Sequence, residues 1–512
     1  MSAACVLLAC GESAVVAGEE GTGQHGVALS ALSADVVRAD FPATLPCGGT
    51  GTATVVLRNS GREAWTAADG FKLGAVGDSD DFYSRDTRVL LADGVTVPPG
   101  GLATFVIDLE APATPGPRDT DWQMVKEFVQ WFGGVAKGRV DVVCGGGQPA
   151  PIGGDVELCP GVTVDTSGQR SATEALQACV DRAGGVLELP AGTYRMTGQL
   201  RVARPLTIRT SGTAGQGGSC LAGVRCTVLR AAPELFVENG FLAIAVGDVH
   251  LEHLVLDGNR QARLSSRAAA TCSSGYNRVG FNATAQECAN CSFVLSASIN
   301  ALCGSGFEWI GDGATIVGSS FKDNGDSARN MMWADGLTLL RSDGAVVRNN
   351  EFVDNSDIGF ISGGARGGVF VDNLVHQSRQ LAFGGLMLDN FNGNTHGEFD
   401  GAIVQGNRID CTAQQCDYGI VIGPHAWYPS RNTRGGTVTG NVVRNARMGV
   451  VVSGGGTPEA PVLLYGNDVS GSPSSARFQC GQRQSGNVVV APDSHVDTRG
   501  EPVLRFAVDG CP

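Results

Sequence analysis

Charged residues are scarce in this sequence, and basic ones are the scarcer kind. Asp, Glu, Lys and Arg make up 17% of the 512 residues, and 51 acidic against 37 basic side chains give a formal net charge of −14. A protein without a basic field repels phosphate, so a general nucleic-acid binder is excluded. An acidic sugar remains an acceptable ligand only where Arg or Lys residues cluster locally.

Long apolar runs and nucleotide motifs are also missing. No segment comes near the 18 uninterrupted apolar residues of a membrane-spanning helix, so no span is expected. The chain has no phosphate-binding P-loop, dinucleotide fingerprint or nucleophile elbow in the strand–turn–helix setting that such motifs require. Nucleotide chemistry and α/β-hydrolase chemistry are therefore not expected.

Glycine is abundant instead. The 74 glycines and 42% hydrophobic residues suit many short strands joined by tight turns, and they match a helical bundle poorly. The length exceeds what one ordinary core fills, which predicts two or three domains.

The N-terminus predicts export. An apolar run from Ala3 ends in Leu7-Leu8-Ala9-Cys10-Gly11, which resembles a bacterial lipobox whose cysteine is acylated, although Met1-Ser2 lacks the usual basic residue. We therefore predict that residues 1–33 are a lipoprotein-type signal and flexible tether, with lipidation at Cys10. The protein is then secreted or held on the bacterial surface, with that lipid as its only membrane attachment. The alternative is a chance apolar stretch.

Residues 34–145 predict a β-sandwich. Short alternating segments such as Thr52–Leu57, Ala103–Leu109 and Gly138–Val143 are separated by Gly, Pro and Asn. Residues 146–156 are rich in Gly and Pro, which predicts a linker before the last domain, residues 157–512.

Several motifs of the first domain follow one another in a fixed order. They are Asn59-Ser60-Gly61 with Trp65, Pro98-Pro99-Gly100, Ala111-Pro112, Trp122-Gln123-Met124 and Trp131-Phe132-Gly133. This order resembles the Ig-like domain named after the autophagy receptor "neighbour of the breast-cancer gene". The resemblance implies a binding or spacer module without chemistry of its own.

The last domain begins with a helix signal. Ser171-Ala172-Thr173-Glu174 fits a capping box, and Leu176, Cys179 and Val180 follow at helical spacing. With the segment 184–194 after it, this start resembles pectin-lyase-like parallel β-helix proteins of the polygalacturonase and rhamnogalacturonase branch. The resemblance implies a right-handed parallel β-helix whose open end is capped by a short helix, and hence an all-β protein.

A repeat supports that fold. Asn-x-apolar triplets recur with separations of 23, 34, 34 and 26 residues, which indicates a coil of about 22 to 25 residues with loops inserted in some turns. We expect the stacked asparagines to form an interior hydrogen-bond ladder. They are Asn350, Asn373, Asn407, Asn441 and Asn467.

Sixteen cysteines leave two explanations. Cys288-Ala-Asn-Cys291 has the spacing of zinc ligands, but it has no clear second pair, and disulfides in an oxidising compartment account for the number better. The predicted pairs are Cys47–Cys144, Cys159–Cys179, Cys220–Cys226, Cys411–Cys416 and Cys480–Cys511. The four cysteines between Cys272 and Cys303 would pair among themselves.

The strongest chemical signal is a pair of aspartates. Asp335 follows Trp333 by two residues, and Asp357 lies 22 residues later, about one coil. The two carboxyl groups should therefore stand on adjacent rungs about 5 Å apart. Mutual repulsion keeps a proton on one of them, which supplies the acid and the base of glycosidic cleavage.

This pattern resembles the polygalacturonase motif Asn-Thr-Asp-Gly followed by Asp-Asp, which implies catalytic roles for Asp335 and Asp357. Two positions depart from it: Ser356 replaces the first residue of the doublet, and Phe383 stands where Gly-His-Gly is expected. Three residues assigned to the next rung are candidates for the missing groups: His376, Arg379 and Asp389.

Loops longer than the basic coil, at 322–334, 389–399 and 424–436, predict a binding groove. Its candidate residues are Asp326, Arg329, Trp333, Arg366, His396, Trp427 and Tyr428. A lyase is the second enzymatic hypothesis, in which an Arg, Lys or His removes the C5 proton and an Arg or a cation such as Ca²⁺ neutralises the uronate. The candidates for that chemistry are Arg329, Arg366 and Arg379, with Asp326, Asp354 and Asp357 for the Ca²⁺.

The sequence thus predicts an exported, monomeric protein that acts on a polysaccharide containing uronic acid, as a glycoside hydrolase first and a lyase second. No cofactor other than Ca²⁺ is expected. The alternative is a non-catalytic adhesin or envelope structural protein that binds glycans.

Overall fold

A computed structural model describes most of the chain, which divides into two compact units at the junction of Gly145 and Gly146. The described residues are 31–46, 50–82, 88–91, 95–112, 114, 116–127, 129–143, 154–221, 224–412, 415–423, 432–472, 483–485, 488–491 and 493–500.

The N-terminal unit is a β-sandwich. Its strands are β1 (Ala34–Asp40), β2 (Thr44–Pro46), β3 (Thr50–Asn59), β4 (Trp65–Thr66), β5 (Phe71–Ala75), β6 (Arg88–Leu90), β7 (Thr96–Val97), β8 (Leu102–Glu110), β9 (Gly116–Lys126) and β10 (Gln130–Val143). A three-stranded sheet has the order β1-β3-β8, a five-stranded sheet has the order β2-β10-β9-β5-β6, and β4 pairs with β7. All three strand segments predicted from the sequence lie within these strands.

The inward faces of the two sheets form the core of this unit. Trp65 and Trp122 are fully buried, and the ring of Trp65 lies 6.4 Å from that of Phe71. These tryptophans therefore pack the interior. The sandwich is confirmed, whereas the Ig-like family stays a prediction.

The second unit begins with β11 (Asp155–Cys159), β12 (Val162–Asp165), β13 (Ser167–Ser171), β14 (Gly185–Leu189), β15 (Thr193–Met196), β16 (Leu200–Val202), β17 (Leu206–Thr210), β18 (Thr227–Ala231), β19 (Leu242–Ile244), β20 (Val249–Glu252), β21 (Leu254–Asp257), β22 (Ala283–Ala285), β23 (Ser292–Val294), β24 (Ala297–Ile299), β25 (Gly304–Ile310), β26 (Thr315–Val317), β27 (Ser320–Lys322) and β28 (Ala334–Arg341). It continues with β29 (Val346–Arg348), β30 (Glu351–Val353), β31 (Ile358–Ser362), β32 (Val369–Val371), β33 (Leu374–Gln377), β34 (Ala382–Leu388), β35 (Glu398–Gln405), β36 (Arg408–Cys411), β37 (Cys416–Ile422), β38 (Arg434–Thr439), β39 (Val442–Arg444), β40 (Met448–Val452), β41 (Val462–Tyr465), β42 (Asp468–Gly471), β43 (Arg483–Ser485), β44 (Val488–Val490) and β45 (Val496–Asp497). The helices are α1 (Thr173–Arg182), α2 (Arg260–Arg263) and α3 (Arg267–Ser273).

These strands build a right-handed parallel β-helix with three long sheets. Sheet A has the order β14-β17-β20-β23-β26-β29-β32-β35-β38-β41-β45, sheet B β13-β15-β18-β21-β24-β27-β30-β33-β36-β39-β42, and sheet C β16-β19-β22-β25-β28-β31-β34-β37-β40-β44-β43. In each coil the chain visits A, then B, then C. The strands in a sheet are parallel, except that β43 runs antiparallel to β44. The fold class is confirmed.

Stacked side chains fill the interior of the coils. The rings of Phe321 and Phe352 stack on successive rungs of sheet B at 5.1 Å, and the ring of Phe360, on sheet C of the same coil as Phe352, stacks on Phe352 at 5.8 Å. The predicted asparagine ladder is present: the side-chain amide of Asn373 donates to Asn407 at 2.9 Å and accepts from Asn350 at 3.0 Å. Buried amide groups satisfied in this way fix the register from coil to coil.

Helix α1 caps the first coil, and Leu176, Cys179 and Val180 bury its predicted apolar face. The predicted capping box is wrong. The helix begins after Ala172 without a side-chain cap, because Ser171 belongs to β13 and its hydroxyl lies 2.6 Å from that of Thr197.

Five disulfides are described. They are Cys159–Cys179, Cys220–Cys226, Cys272–Cys303, Cys288–Cys291 and Cys411–Cys416. The zinc alternative for Cys288 and Cys291 is wrong, because their sulfurs are bonded to each other. The predicted pairs Cys47–Cys144 and Cys480–Cys511, and the lipidation of Cys10, lie outside the described residues.

Within the described part of the chain, no helix has both the length and the apolar character needed to cross a membrane.

Candidate active site

Sheet C is bordered by two series of turns. The B–C corner holds the turns that lead from sheet B into sheet C, including the insertion 258–282 and the loop 323–333. The C–A corner holds those that leave sheet C, including the loop 389–397. The predicted site residues divide between these two corners.

The two aspartates lie on adjacent rungs at the B–C corner. Asp335 is the second residue of β28, and Asp357 immediately precedes β31. The N–H of Asp357 donates to the carbonyl of Ala334 at 3.1 Å. The N–H of Ile358 donates to Asp335 Oδ1 at 3.1 Å. The backbone ladder thus holds the two half-buried carboxyl groups beside each other, as predicted.

A column of glycines brings these rungs close together. A Cβ atom at Gly336 would lie 2.5 Å from the carbonyl oxygen of Gly359, and one at Gly359 would lie 2.7 Å from that of Gly385. No side chain fits between the rungs at this position. Gly336 directly follows Asp335 in β28, so the column helps to place Asp335.

Ser356, which departs from the polygalacturonase motif, is fully buried and structural. Its hydroxyl accepts a hydrogen bond from the N–H of Ala334 at 3.0 Å. Beneath it the interior side chains of Asn324, Asn355 and Gln377 form a second ladder, with Asn324 donating to Asn355 at 2.8 Å. The corner that carries the acid pair is therefore braced from inside.

Burial and mutual repulsion disfavour ionisation of the pair. Burial, and then the charge of Asp357, raise the pKa of Asp335 well above its usual value, against hydrogen bonds from Thr338 and Ile358 that lower it. Burial raises the pKa of Asp357 to about 6. The pair is therefore suited to hold one proton near neutral pH, which gives one acid and one base.

Arg379 lies on the next rung of the same corner, in a cluster of ion pairs. Its guanidinium is 2.8 Å from the buried carboxylate of Asp354 and 2.5 Å from that of Asp323. Burial raises the pKa of Asp354, but the N–H groups of Ser378 and Arg379 and the guanidinium outweigh it, so the pKa is lowered. Arg379 has a structural role here, although 56% of its side chain is exposed.

The loop 323–333 carries the remaining residues predicted at this corner. Asp326 accepts from the N–H of Ala328 at 3.0 Å and pairs with Arg329 at 3.1 Å, and Arg329 is half-exposed. Trp333 is 38% exposed, two residues before Asp335. Trp333, Asp335, Asp357 and Arg379 thus occupy three successive rungs of one corner.

Other predicted residues lie at the C–A corner, on the far side of sheet C. Arg366 pairs with Asp343 at 2.8 Å and with Glu398 at 3.2 Å, and His396 lies 3.3 Å from Asp343. Asp389 follows β34 and is fully buried, which raises its pKa to about 6.

The remaining predicted site residues lie at neither corner or outside the described residues. His376 lies on β33 of sheet B, where it pairs in register with Val353 and Asp410, and not on the sheet that carries the acid pair. Trp427 and Tyr428 lie outside the described residues.

Sequence reasoning missed four polar residues on the outer face of sheet C: Ser305, Glu308 and Thr338, with Arg278 paired to Glu308. The alternation in Gly304–Ile310 is a signal that could have found Glu308, because Phe307 and Trp309 point into the core.

Toward the C-terminus the outer face of sheet C becomes apolar. Ile361, Met387 and Val421 are buried there against Phe383 and Tyr418, whose rings are 4.9 Å apart. Phe383, the second departure from the polygalacturonase motif, thus belongs to an apolar cluster. On the earlier rungs the same row of the face is polar, with Thr284, Glu308 and Thr338 paired in register.

The residues proposed for Ca²⁺ do not converge on one point. Asp354 is bound to Arg379, and Asp326 is bound to Arg329. Among the described residues, no group of three or more His, Cys, Asp or Glu side chains could hold a metal ion. The geometry does not fit the predicted cation.

Several solved structures are similar to this chain at low sequence identity. No protein-family model and no curated protein matches its sequence. A family 28 exopolygalacturonase from Yersinia enterocolitica is 11% identical, with a TM-score of 0.42 and 88% of each chain covered. An exopolygalacturonase from Thermotoga maritima is 14% identical, with a TM-score of 0.39 and 66% of this chain and 90% of that chain covered. An alginate lyase from Paenibacillus sp. is 12% identical, with a TM-score of 0.41 and 64% and 97% covered. The chain is a right-handed parallel β-helix protein similar in fold to these enzymes.

Proposed function

We propose that the β-helix is a glycoside hydrolase that acts on a polysaccharide, with Asp335 and Asp357 as its acid and base. One observation carries the proposal: two half-buried carboxyl groups are held on adjacent rungs, and the pKa of each is raised. Glycosidic cleavage needs one protonated carboxyl group for the leaving oxygen and one ionised group for the nucleophile or its activation.

The surroundings of the pair support a sugar as the ligand. Trp333, two residues before Asp335, is 38% exposed, and exposed aromatic rings stack on the apolar faces of sugars. Arg329 and Arg379 are about half exposed at the same corner, so each can reach a ligand without leaving its carboxylate partner. We propose a polysaccharide containing uronic acid, whose carboxylates these guanidinium groups would receive.

A lyase is the second candidate, and Arg379 is the observation that favours it. The guanidinium lies one rung from Asp357, where it would neutralise a uronate while another group removes the C5 proton. We further propose that the protein is exported and acts as a monomer. The five disulfides support export, because such bonds persist in oxidising compartments.

Incubation of the purified protein with polygalacturonate and with alginate tests the proposal. A hydrolase releases new reducing ends, whereas a lyase also forms an unsaturated uronate that absorbs in the ultraviolet. Asp335→Asn and Asp357→Asn should each lose at least about 100-fold of the cleavage rate, with unchanged circular dichroism and thermal unfolding.

The matched control is Asp372→Asn, an exposed aspartate in a turn after sheet A. It should retain full activity. Full activity in Asp335→Asn would refute the assignment, and retention of glycans without any product would favour the adhesin.

A further inference from the structure

A chain of hydroxyl groups leads away from Asp335 on the outer face of sheet C. Thr338 Oγ1 lies 2.7 Å from Asp335 Oδ2 and 2.9 Å from Ser305 Oγ. The hydroxyl of Ser305 donates to the carbonyl of Phe307 at 3.0 Å. All three links are within hydrogen-bond distance, and Ser305 and Thr338 are buried.

This chain suits both protonation states of Asp335. When the carboxyl group is ionised, Thr338 donates to it. When it is protonated, its O–H donates to Thr338, which donates to Ser305, which donates to Phe307. Hydroxyl groups rotate to make either arrangement, so neither state leaves a buried polar group unpaired. Asp335 can therefore release and recover a proton at Oδ2, while Oδ1 stays bonded to the N–H of Ile358.

A third carboxyl group lies on the same face. Glu308 is paired in register with Thr338, so their side chains lie one strand spacing apart, about 4.8 Å. It is 8% exposed, and both of its oxygens accept hydrogen bonds from Arg278 Nη1, at 2.8 and 3.0 Å. Burial raises the pKa of Glu308 above its usual value, and the charge and hydrogen bonds of the Arg278 guanidinium oppose that rise.

Arg278 is itself fixed by the insertion 258–282. Its guanidinium lies 5.0 Å from the ring centroid of Phe281, and it spans from the insertion to β25. The insertion thus delivers a cation to the one carboxyl group that stands beside the hydroxyl chain.

We propose that Glu308, held by Arg278, is a positioning residue that keeps the shared proton on Asp335, so that Asp335 is the acid and Asp357 the base. The inference rests on the proposed function. Among the described residues, the charges of Asp357 and Glu308 oppose the ionisation of Asp335, and the guanidinium of Arg278 stands against Glu308. Asp357 lies one rung farther from Glu308 than Asp335 does. Glu308 therefore repels the charge of Asp357 less than it repels the charge of Asp335.

The test is a direct titration of the Asp335 carboxyl group by carbon NMR in protein labelled at aspartate, with Asp335→Asn to assign the signal. In Glu308→Gln the pKa of Asp335 should fall by about one pH unit, because one nearby negative charge is removed. Glu308→Asp keeps the charge and should restore most of the wild-type value. The control Glu351→Gln, an exposed glutamate on sheet B, should leave it unchanged.

If the titration of Asp335 does not move in Glu308→Gln, or if Asp357 proves to hold the proton in the wild-type protein, the inference is wrong. The titration needs no substrate, so it also separates the two proposals. A shifted pKa of Asp335 without any glycan cleavage would refute the proposed hydrolase function but not the effect of Glu308 on Asp335. If the protein cleaves glycans, the limb of its pH–rate profile that reports the acid should move to lower pH by the same amount in Glu308→Gln. Loss of a purely structural contact would not cause that shift.

Discussion

Arg379 Nε lies 2.8 Å from Asp354 Oδ2, and the Asp354 side chain is only 2% exposed. The lowered pKa of Asp354 means that its contribution to stability is present above the unfolded value of about 4 and is lost as pH falls through the folded value. Arg379→Met should therefore reduce the free energy of unfolding by about 1 to 2 kcal/mol at pH 7, since solvent partly screens the half-exposed guanidinium. The loss should shrink below pH 4.

Urea unfolding at pH 3.5 and pH 7 measures this effect, and Arg366→Met is the matched control. Arg366 is equally exposed, but its partner Asp343 is more exposed than Asp354, so the control should lose less stability than Arg379→Met does. Equal losses in both variants at pH 7 would contradict the structural role of Arg379.

Asp389 should destabilise the protein at neutral pH. Its carboxyl group is fully buried, and Oδ2 has no hydrogen-bond partner among the described residues. The unfolded chain ionises above about pH 4, whereas burial raises the folded pKa to about 6, so stability falls as pH rises between these values. Asp389→Asn should raise the free energy of unfolding by about 3 kcal/mol at pH 7 and by little at pH 4.

Thermal unfolding at the two pH values checks this prediction. A gain of equal size at pH 4 would show that the stabilisation does not come from the charge. Retained cleavage of glycans by Asp389→Asn would also remove Asp389 from the catalytic candidates.

The asparagine ladder should be costly to interrupt. Asn373→Ala removes the acceptor of both the N–H and the side-chain amide of Asn350, and the donor to the carbonyl of Val347. Each buried group left unpaired costs about 1 to 3 kcal/mol, so we expect a loss of at least about 3 kcal/mol. Asn394→Ala, at an exposed position in the loop 389–397, should lose less than about 0.5 kcal/mol in the same urea titration. Similar losses in the two variants would show that the ladder does not stabilise the coils.

The Cys272–Cys303 disulfide joins α3 to the residue that precedes β25, across 31 residues of sequence. Chain-entropy arguments give a stabilisation of about 4 kcal/mol for a loop of this length. Replacement of both cysteines by serine should lower the unfolding temperature more than the same replacement of Cys220 and Cys226, which close a loop of 6 residues worth about 2 kcal/mol. The reverse order in differential scanning calorimetry would contradict this ranking.

The coils were predictable because stacked rungs require the same type of residue at the same position of each coil. Asn350 and Asn373 recur at coil spacing since each must bond the next, and that spacing alone placed Asp335 and Asp357 side by side. Cysteine pairs close in sequence, such as Cys411 and Cys416, were predictable for a similar reason: only a short turn separates them.

The rest of the site depended on contacts that the spacing does not encode. Glu308 and Arg278 meet because the insertion 258–282 folds back onto sheet C, and its length hides the rung from a count of residues. His376 lies on sheet B, Arg379 lies in the turn from sheet B to sheet C, and Asp389 follows the strand of sheet C. The three residues are close in sequence, but the corner between the sheets separates them. Ser171 has the residue type of a helix cap, but it is the last residue of β13 and therefore does not cap α1.

The glycine column separates two kinds of position in each rung. Behind it the interior is packed from coil to coil, so a change there propagates. In front of it stands a single row of side chains, which comprises Ser305, Asp335, Ile358, Gly384, Tyr418 and Met448. Ser305, Ile358 and Met448 in this row are buried, whereas Asp335 and Tyr418 are half-buried. The row changes from polar at Ser305 and Asp335 to apolar at Ile358 and Met448. Because each rung adds one residue to it at the strand spacing of about 4.8 Å, each rung offers one place where the chemistry of this face can change.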